Sequence, residues 1–109
     1  MNSGKEIFDL LSLIKVFDVN YASDEDCVAL RDLDPNRSDD VSKAANLLLI
    51  PEFRSYLPSA QTRLKELLHS FLNNPTEGFE KLFDRVELVF QTQVTDRRAF
   101  MRSLLKELE

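Results

Sequence analysis

Five oxygen-bearing side chains alternate along one stretch of this 109-residue chain: Asp32-x-Asp34-x-Asn36-x-Ser38-x-Asp40. A calcium-binding loop places its oxygen ligands at this alternation. The stretch departs from that chemistry where it counts. Position six, where a sharp turn calls for glycine, is Arg37. Position eight, usually apolar, is Asp39, and position twelve, the bidentate glutamate, is Lys43. The last exchange removes two oxygens and brings in a positive charge. A capped, solvated loop is the reading these residues support, and no metal or other cofactor is expected.

Nucleophilic and acid–base chemistry fare no better. His69 is the one histidine. General acid–base work needs a partner within hydrogen-bond reach, and on a helix its neighbours are Lys65, Glu66 and Asn73, so it reads as a surface histidine. Cys27 is the one cysteine, so no disulfide closes within the chain. It falls in the first turn of a helix, where the dipole favours a thiolate, but Asp24, Glu25 and Asp26 beside it oppose that, and a small core residue is the plainer reading. Gly4 and Gly78 are too far apart to build a phosphate loop. Asn36-Arg37-Ser38 matches a glycosylation sequon, but the N-terminus lacks the basic-then-apolar order of a signal peptide, so the match is treated as chance.

Charge placement says more. The net charge is −5. Residues 23–40 hold seven acids against Arg31 and Arg37 alone, which accounts for all of it, and the rest of the chain balances with twelve of each sign. Asp24, Glu25 and Asp26 serve a helix N-terminus, so Asp32, Asp34, Asp39 and Asp40 are the candidate partner-binding residues. A second acidic row, Glu77, Glu80, Asp84 and Glu87, falls on one side of the helix expected from Pro75 to Gln91, with Lys81 placed to pair with Glu77. Glu80, Asp84 and Glu87 are therefore secondary candidates. Arg98, Arg102 and Lys106 recur every four residues on the last helix. That basic row could meet a nucleic acid or dock inside the molecule, but an acidic chain is repelled by phosphate backbones.

The elements that must hold these residues are helical. Ser3, with Glu6 three residues on, opens a first helix whose wide apolar face runs from Ile7 to Phe17 and includes Phe8, Leu13 and Val16. Ser23 caps a second, with Cys27, Val28 and Leu30 inward, ended by Asp34-Pro35. Ser38 caps a third, with Val41, Ala44, Ala45 and Leu48 as its stripe and Pro51 as its stop. A connector pinned by Phe53 leads to a fourth helix from Pro58 or Ser59, with Leu64, Leu67, Leu68, Phe71 and Leu72. Asn74-Pro75-Thr76-Glu77 starts a fifth. Residues 91–95 have strand propensity but no partner strand and read as a connector. Thr95 caps the last helix, whose stripe is Phe100, Met101, Leu104, Leu105 and Leu108. The expected fold is one all-α domain over 1–109, a compact bundle of five or six short, mostly antiparallel helices.

These features imply a non-enzymatic binding module, because an acidic patch speeds association with a basic surface and helps select it. In its sharpest form the module is an inhibitor that binds and blocks a basic partner protein such as a nuclease toxin. In size, charge and expected compartment the profile resembles bacterial immunity proteins of toxin pairs, although no motif carries the resemblance. A small nucleic-acid-binding regulator using Arg98, Arg102 and Lys106, a small helical enzyme or metal-binding domain, and a self-associating subunit, monomer or dimer, stand as alternatives. With no signal peptide and no apolar run near the roughly 18 residues of a membrane span, a cytoplasmic protein that begins at its own Met1 and has no membrane partner is expected.

Overall fold

In the computed structural model, which describes residues 6–109, the first helical stretch winds tightly at both ends. The 3-10 turn Glu6–Leu10 leads into α1 (Leu11–Ile14) and out through a second 3-10 turn, Lys15–Phe17. Ile7, Leu10, Leu13, Ile14, Val16 and Phe17 are buried, with Phe8 half-buried. So broad an apolar surface cannot be covered by one neighbour, and the stretch lies among several elements, α5 and α6 included. The capping box expected at Ser3 lies outside the described residues.

α2 (Asp24–Leu30) is capped as expected, Ser23 Oγ accepting from the Asp26 N–H at 3.1 Å. It reaches the core only through Leu30. Val28, expected inward, is 57% exposed, and Cys27 is half-buried.

α3 (Ser38–Ala44) starts one residue early, with Arg37 at the cap position and Ser38 already inside the first turn. Pro51 does not stop it. The chain passes through a π-helical turn, Ala45–Leu49, and continues as α4 (Ile50–Arg54). In an α-helix the Pro51 ring would press on the Leu47 carbonyl and leave it without a donor. The wider turn, in which Ile50 N–H donates to Ala45 O, absorbs that conflict. Asn46 Nδ2 donates to Ser42 O at 2.8 Å, and Phe53 is buried.

α5 (Pro58–Leu72) runs as expected, with Leu64, Leu68 and Phe71 buried. The long fifth helix does not form. Asn74 makes its local turn, accepting from Thr76 N and Oγ1 at 3.2 and 2.8 Å. The Glu77 carboxylate, however, accepts from Phe79 N at 2.8 Å rather than from residue 74. Phe79 is left-handed, φ 61°, ψ 18°, a conformation costing roughly 1–2 kcal/mol for a residue with a Cβ. Its ring is fully buried and lies edge-on to Phe71, the two centroids 6.5 Å apart, and that burial offsets the strain. Only one turn, α6 (Glu80–Phe83), follows. The chain then pairs with the end of the first stretch as an isolated antiparallel bridge, Val19 N donating to Glu87 O at 2.8 Å and Val89 N to Phe17 O at 2.9 Å.

α7 (Arg97–Leu108) is capped by Asp96, not Thr95, its Oδ1 accepting from Ala99 N at 2.9 Å. α7 is the spine of the bundle. α5 packs against it with its closing turn laid across the length of α7, since Arg98 reaches Leu72 and Glu109 reaches His69. α3 runs beside it in the same direction, and Asn46 Nδ2 donates to Glu107 Oε1 at 3.1 Å. Where the elements meet, the Phe100 ring stands 6.1, 5.9 and 6.2 Å from those of Phe17, Phe83 and Phe90. The result is an all-α bundle of six short helical stretches among the described residues. Its radius of gyration, 13.0 Å, matches the roughly 13 Å expected of a compact chain this long.

Candidate functional site

The connector 91–95 ties the two acidic regions of the chain together. On one side it is held to residues 31–36. Gln91 N donates to Arg31 O at 3.1 Å, and Asn36 Nδ2 donates to Gln93 O at 2.8 Å. Asn36 Oδ1 accepts from Thr95 N and Thr95 Oγ1 at 2.8 and 3.0 Å. One amide side chain thus spans 57 to 59 residues of sequence and ties Thr95 to the turn at Pro35, while the cap of α7 falls to Asp96. On its other side the connector borders a cleft of about 450 Å³. The exposed lining of the cleft is mainly polar, with Asp84, Glu87, Gln91, Thr92 and Gln93 contributing beside the apolar Phe83, Val86, Leu88, Phe90 and Val94. Arg97 also lines it, its guanidinium carbon 5.7 Å from the centre of the Phe83 ring.

The acids selected from the sequence divide into two kinds. Asp34 and Asp40 are half-buried and used inside the loop. Asp34 Oδ1 accepts from Asn36 N at 2.9 Å, and Asp40 Oδ2 accepts from Asp34 N at 2.8 Å. Asp40 also stands 3.9 Å from Lys43 Nζ. The alternating carboxylates therefore shape the turn around Pro35. Among the described residues no three His, Cys, Asp or Glu side chains gather closely enough to hold a metal ion. Asp32, Asp39, Asp84 and Glu87 are exposed, and none takes part in an ion pair among the described residues. Glu80 is exposed as well but folds back over Gly78 and does not line the cleft. With the fifth helix reduced to one turn, the second acidic row is not a helix stripe, and its cleft-side members are Asp84 and Glu87.

The basic row is also divided. Arg98 turns inward, its Nη1 donating to Asn74 O and Glu77 O at 2.9 and 3.0 Å and its Nη2 to Leu72 O at 2.7 Å. It closes the carboxyl end of α5, where unpaired carbonyls attract a cation. Only Arg102 and Lys106 remain exposed. His69 Nε2 lies 3.0 Å from Glu109 Oε2, a contact between two exposed side chains.

Sequence spacing does not reveal one further cluster. Lys15 Nζ sits 5.0 Å from the Tyr21 ring centre, 5.8 Å from that of Tyr56 and 3.6 Å from Glu52 Oε2. The Tyr56 hydroxyl donates to Ser12 O at 2.9 Å. Burial alone would lower the Lys15 pKa, but Tyr56, Tyr21 and Glu52 together hold it above its ordinary value. Burial, helped by Glu52, raises that of the Tyr56 hydroxyl, with Lys15 opposing. A lysine held protonated in this way is a structural cation rather than a nucleophile.

No described helix is long and apolar enough to cross a membrane. Compared with protein-family models, curated proteins and solved structures, the chain matches none.

Proposed function

We propose that this chain is a non-enzymatic binding protein, acting in the cytoplasm, that lays an acidic face over a basic partner protein and blocks it. A nuclease toxin is the kind of partner such a face fits. One observation supports the reading: Asp32 and Asp39 on one side of the connector 91–95, and Asp84 and Glu87 on the other, are exposed and without ion-pair partners among the described residues, although about fifty residues of sequence separate the two pairs. Exposed carboxylates without ion-pair partners keep long-range attraction available for a basic surface before contact, at ionic strengths where the Debye length is about 8–10 Å. Carboxylates serving solubility alone would do as well scattered over the molecule.

The test compares the parent with a variant carrying Asp32→Asn, Asp39→Asn, Asp84→Asn and Glu87→Gln. All four residues are exposed, so helicity should be unchanged and melting should fall only by the small dipole contribution of Asp39 in the first turn of α3. Both proteins are used as bait in lysate of the source organism, at low and at high salt, and what they hold is identified by mass spectrometry. The reading requires a basic protein retained by the parent at low salt and lost in the variant, with stopped-flow association to that partner slowed by the same substitutions. Equal retention by both baits overturns it.

A further inference from the structure

Resting on the acidic-face reading, we infer that the cleft beside the connector 91–95 is a receptor for an arginine side chain presented by the basic partner. Four features of the cleft point to this occupant. Its volume, about 450 Å³, lies within the roughly 300–1,000 Å³ typical of ligand pockets. Its lining is mainly polar, Gln91, Thr92 and Gln93 included, but it keeps a band of half-buried apolar groups, Phe83, Val86, Leu88 and Val94, with the nearly buried Phe90. An aliphatic stem can lie along such a surface while its charged head stays near water. Asp84 and Glu87 line the same cleft as acceptors for that head, and neither has an ion-pair partner among the described residues. Finally, Arg97 already places a guanidinium 5.7 Å from the Phe83 ring, so the cleft wall accepts the planar cation of the chain's own arginine.

Arginine is favoured over lysine on the same grounds. A guanidinium is planar, stacks on an aromatic face and offers a fork of donors to a carboxylate, whereas an ammonium is a compact, strongly hydrated point charge. Arg97 partly fills the place of the incoming residue. It therefore competes for the ring while its own charge subtracts from the attraction of Asp84 and Glu87. Anchors of this kind, an arginine buried in a pocket, dominate many interfaces, with the surrounding charges setting the rate of encounter.

The probe is the tripeptide acetyl-Ala-Arg-Ala-amide, titrated at low salt into the ¹⁵N-labelled full chain, with the lysine and citrulline tripeptides alongside. The backbone amides of Thr92, Gln93 and Val94 should shift saturably with the arginine peptide. The lysine peptide should bind roughly threefold more weakly, and citrulline, which keeps the shape without the charge, should give no saturation. Asp84→Asn with Glu87→Gln should weaken the arginine peptide about fivefold, while Asp32→Asn with Asp39→Asn should change it less than about twofold. Arg97→Gln should tighten it. Equal affinity for the arginine and lysine peptides, or no loss on neutralising Asp84 and Glu87, overturns the inference. Should that happen while the four-acid variant still releases its basic partner, the acidic face stands and the arginine receptor falls. Peptide binding as expected together with equal bait retention sinks the acidic-face reading and leaves only an arginine-binding cleft.

Discussion

Replacing Arg98 separates a structural cation from a surface one. Its guanidinium makes three hydrogen bonds to carbonyls at and beyond the end of α5, at 2.7 to 3.0 Å. Hydrogen bonds involving a charged group contribute about 1.5–3 kcal/mol each when the partner left behind stays unsatisfied. That upper range does not apply to all three here, because Asn74 is exposed and Glu77 only half-buried, so their carbonyls recover water once the side chain is removed. Leu72 O, half-buried like Glu77, holds the shortest of the three bonds at 2.7 Å, and the lost cation forfeits a further contribution of about 0.3–1 kcal/mol with the helix dipole. Arg98→Gln should therefore cost about 2–3 kcal/mol in urea unfolding, or roughly 8–12 °C in Tm. Arg98→Lys keeps the charge but not the fork, and should recover less than half of the loss. Arg102→Gln, at an exposed site four residues on, serves as the control and should stay within about 0.5 kcal/mol of the parent. If Arg98→Gln costs no more than Arg102→Gln, the three bonds do not hold the end of α5 and the assignment fails.

Two other perturbations probe the interior. Phe100→Ala removes a side chain 2% exposed that meets three other rings, and should cost about 3–5 kcal/mol, whereas Phe83→Ala, at a half-buried position, should cost less; equal losses would mean that the ring cluster is not centred on Phe100. The raised pKa values of Lys15 and Tyr56 mean that the folded chain holds both protons more tightly than the unfolded chain. Their contribution is complete below the ordinary values of 10.5 and 10.0 and is lost as pH climbs through the raised ones. Tyr56→Phe should thus flatten the alkaline loss of stability above about pH 10, and an unchanged slope would show that Tyr56 takes no part in it.

Apolar periodicity carried most of the helices. The stripes through Leu64, Leu68 and Phe71, and through Phe100, Leu104 and Leu108, are buried where the 3.6-residue spacing places them, because these helices pack along their whole length. Periodicity failed between Pro75 and Gln91. There the spacing of Phe79, Leu82, Phe83, Val86 and Phe90 is compatible with a helix, yet only Leu82 and Phe83 sit on a helical turn and the other three reach the core from irregular backbone. Gly78, set inside the expected second turn, was the one local sign of a break. Pro51 misled in the opposite sense, since a π turn lets the helix continue past it. The acidic face was half legible. Charge counting singled out the segment 23–40, and Asp84 and Glu87 were reached only through a helical spacing that the structure does not keep; neither showed the sharing of labour that turns Asp34 and Asp40 inward. Nor could it show the clasp through Asn36, whose partners Gln93 and Thr95 lie 57 and 59 residues away. Arg98 belongs to the same class: its acceptors are backbone carbonyls brought to it by tertiary packing.

The Lys15 cluster has an optical consequence. The chain contains no tryptophan and two tyrosines, Tyr21 and Tyr56, and both lie against this one lysine. All useful ultraviolet emission therefore originates in a single corner, where a cation over the rings and a carboxylate near the hydroxyls set its intensity. A melt followed by that emission reports the loosening of Lys15 from its two rings, and agrees with circular dichroism only to the extent that the bundle comes apart in one step. Neither tyrosine lines the cleft beside Asp84 and Glu87, so a partner filling that cleft would leave the signal nearly untouched. A tryptophan installed by Thr92→Trp would put an emitter on the connector itself.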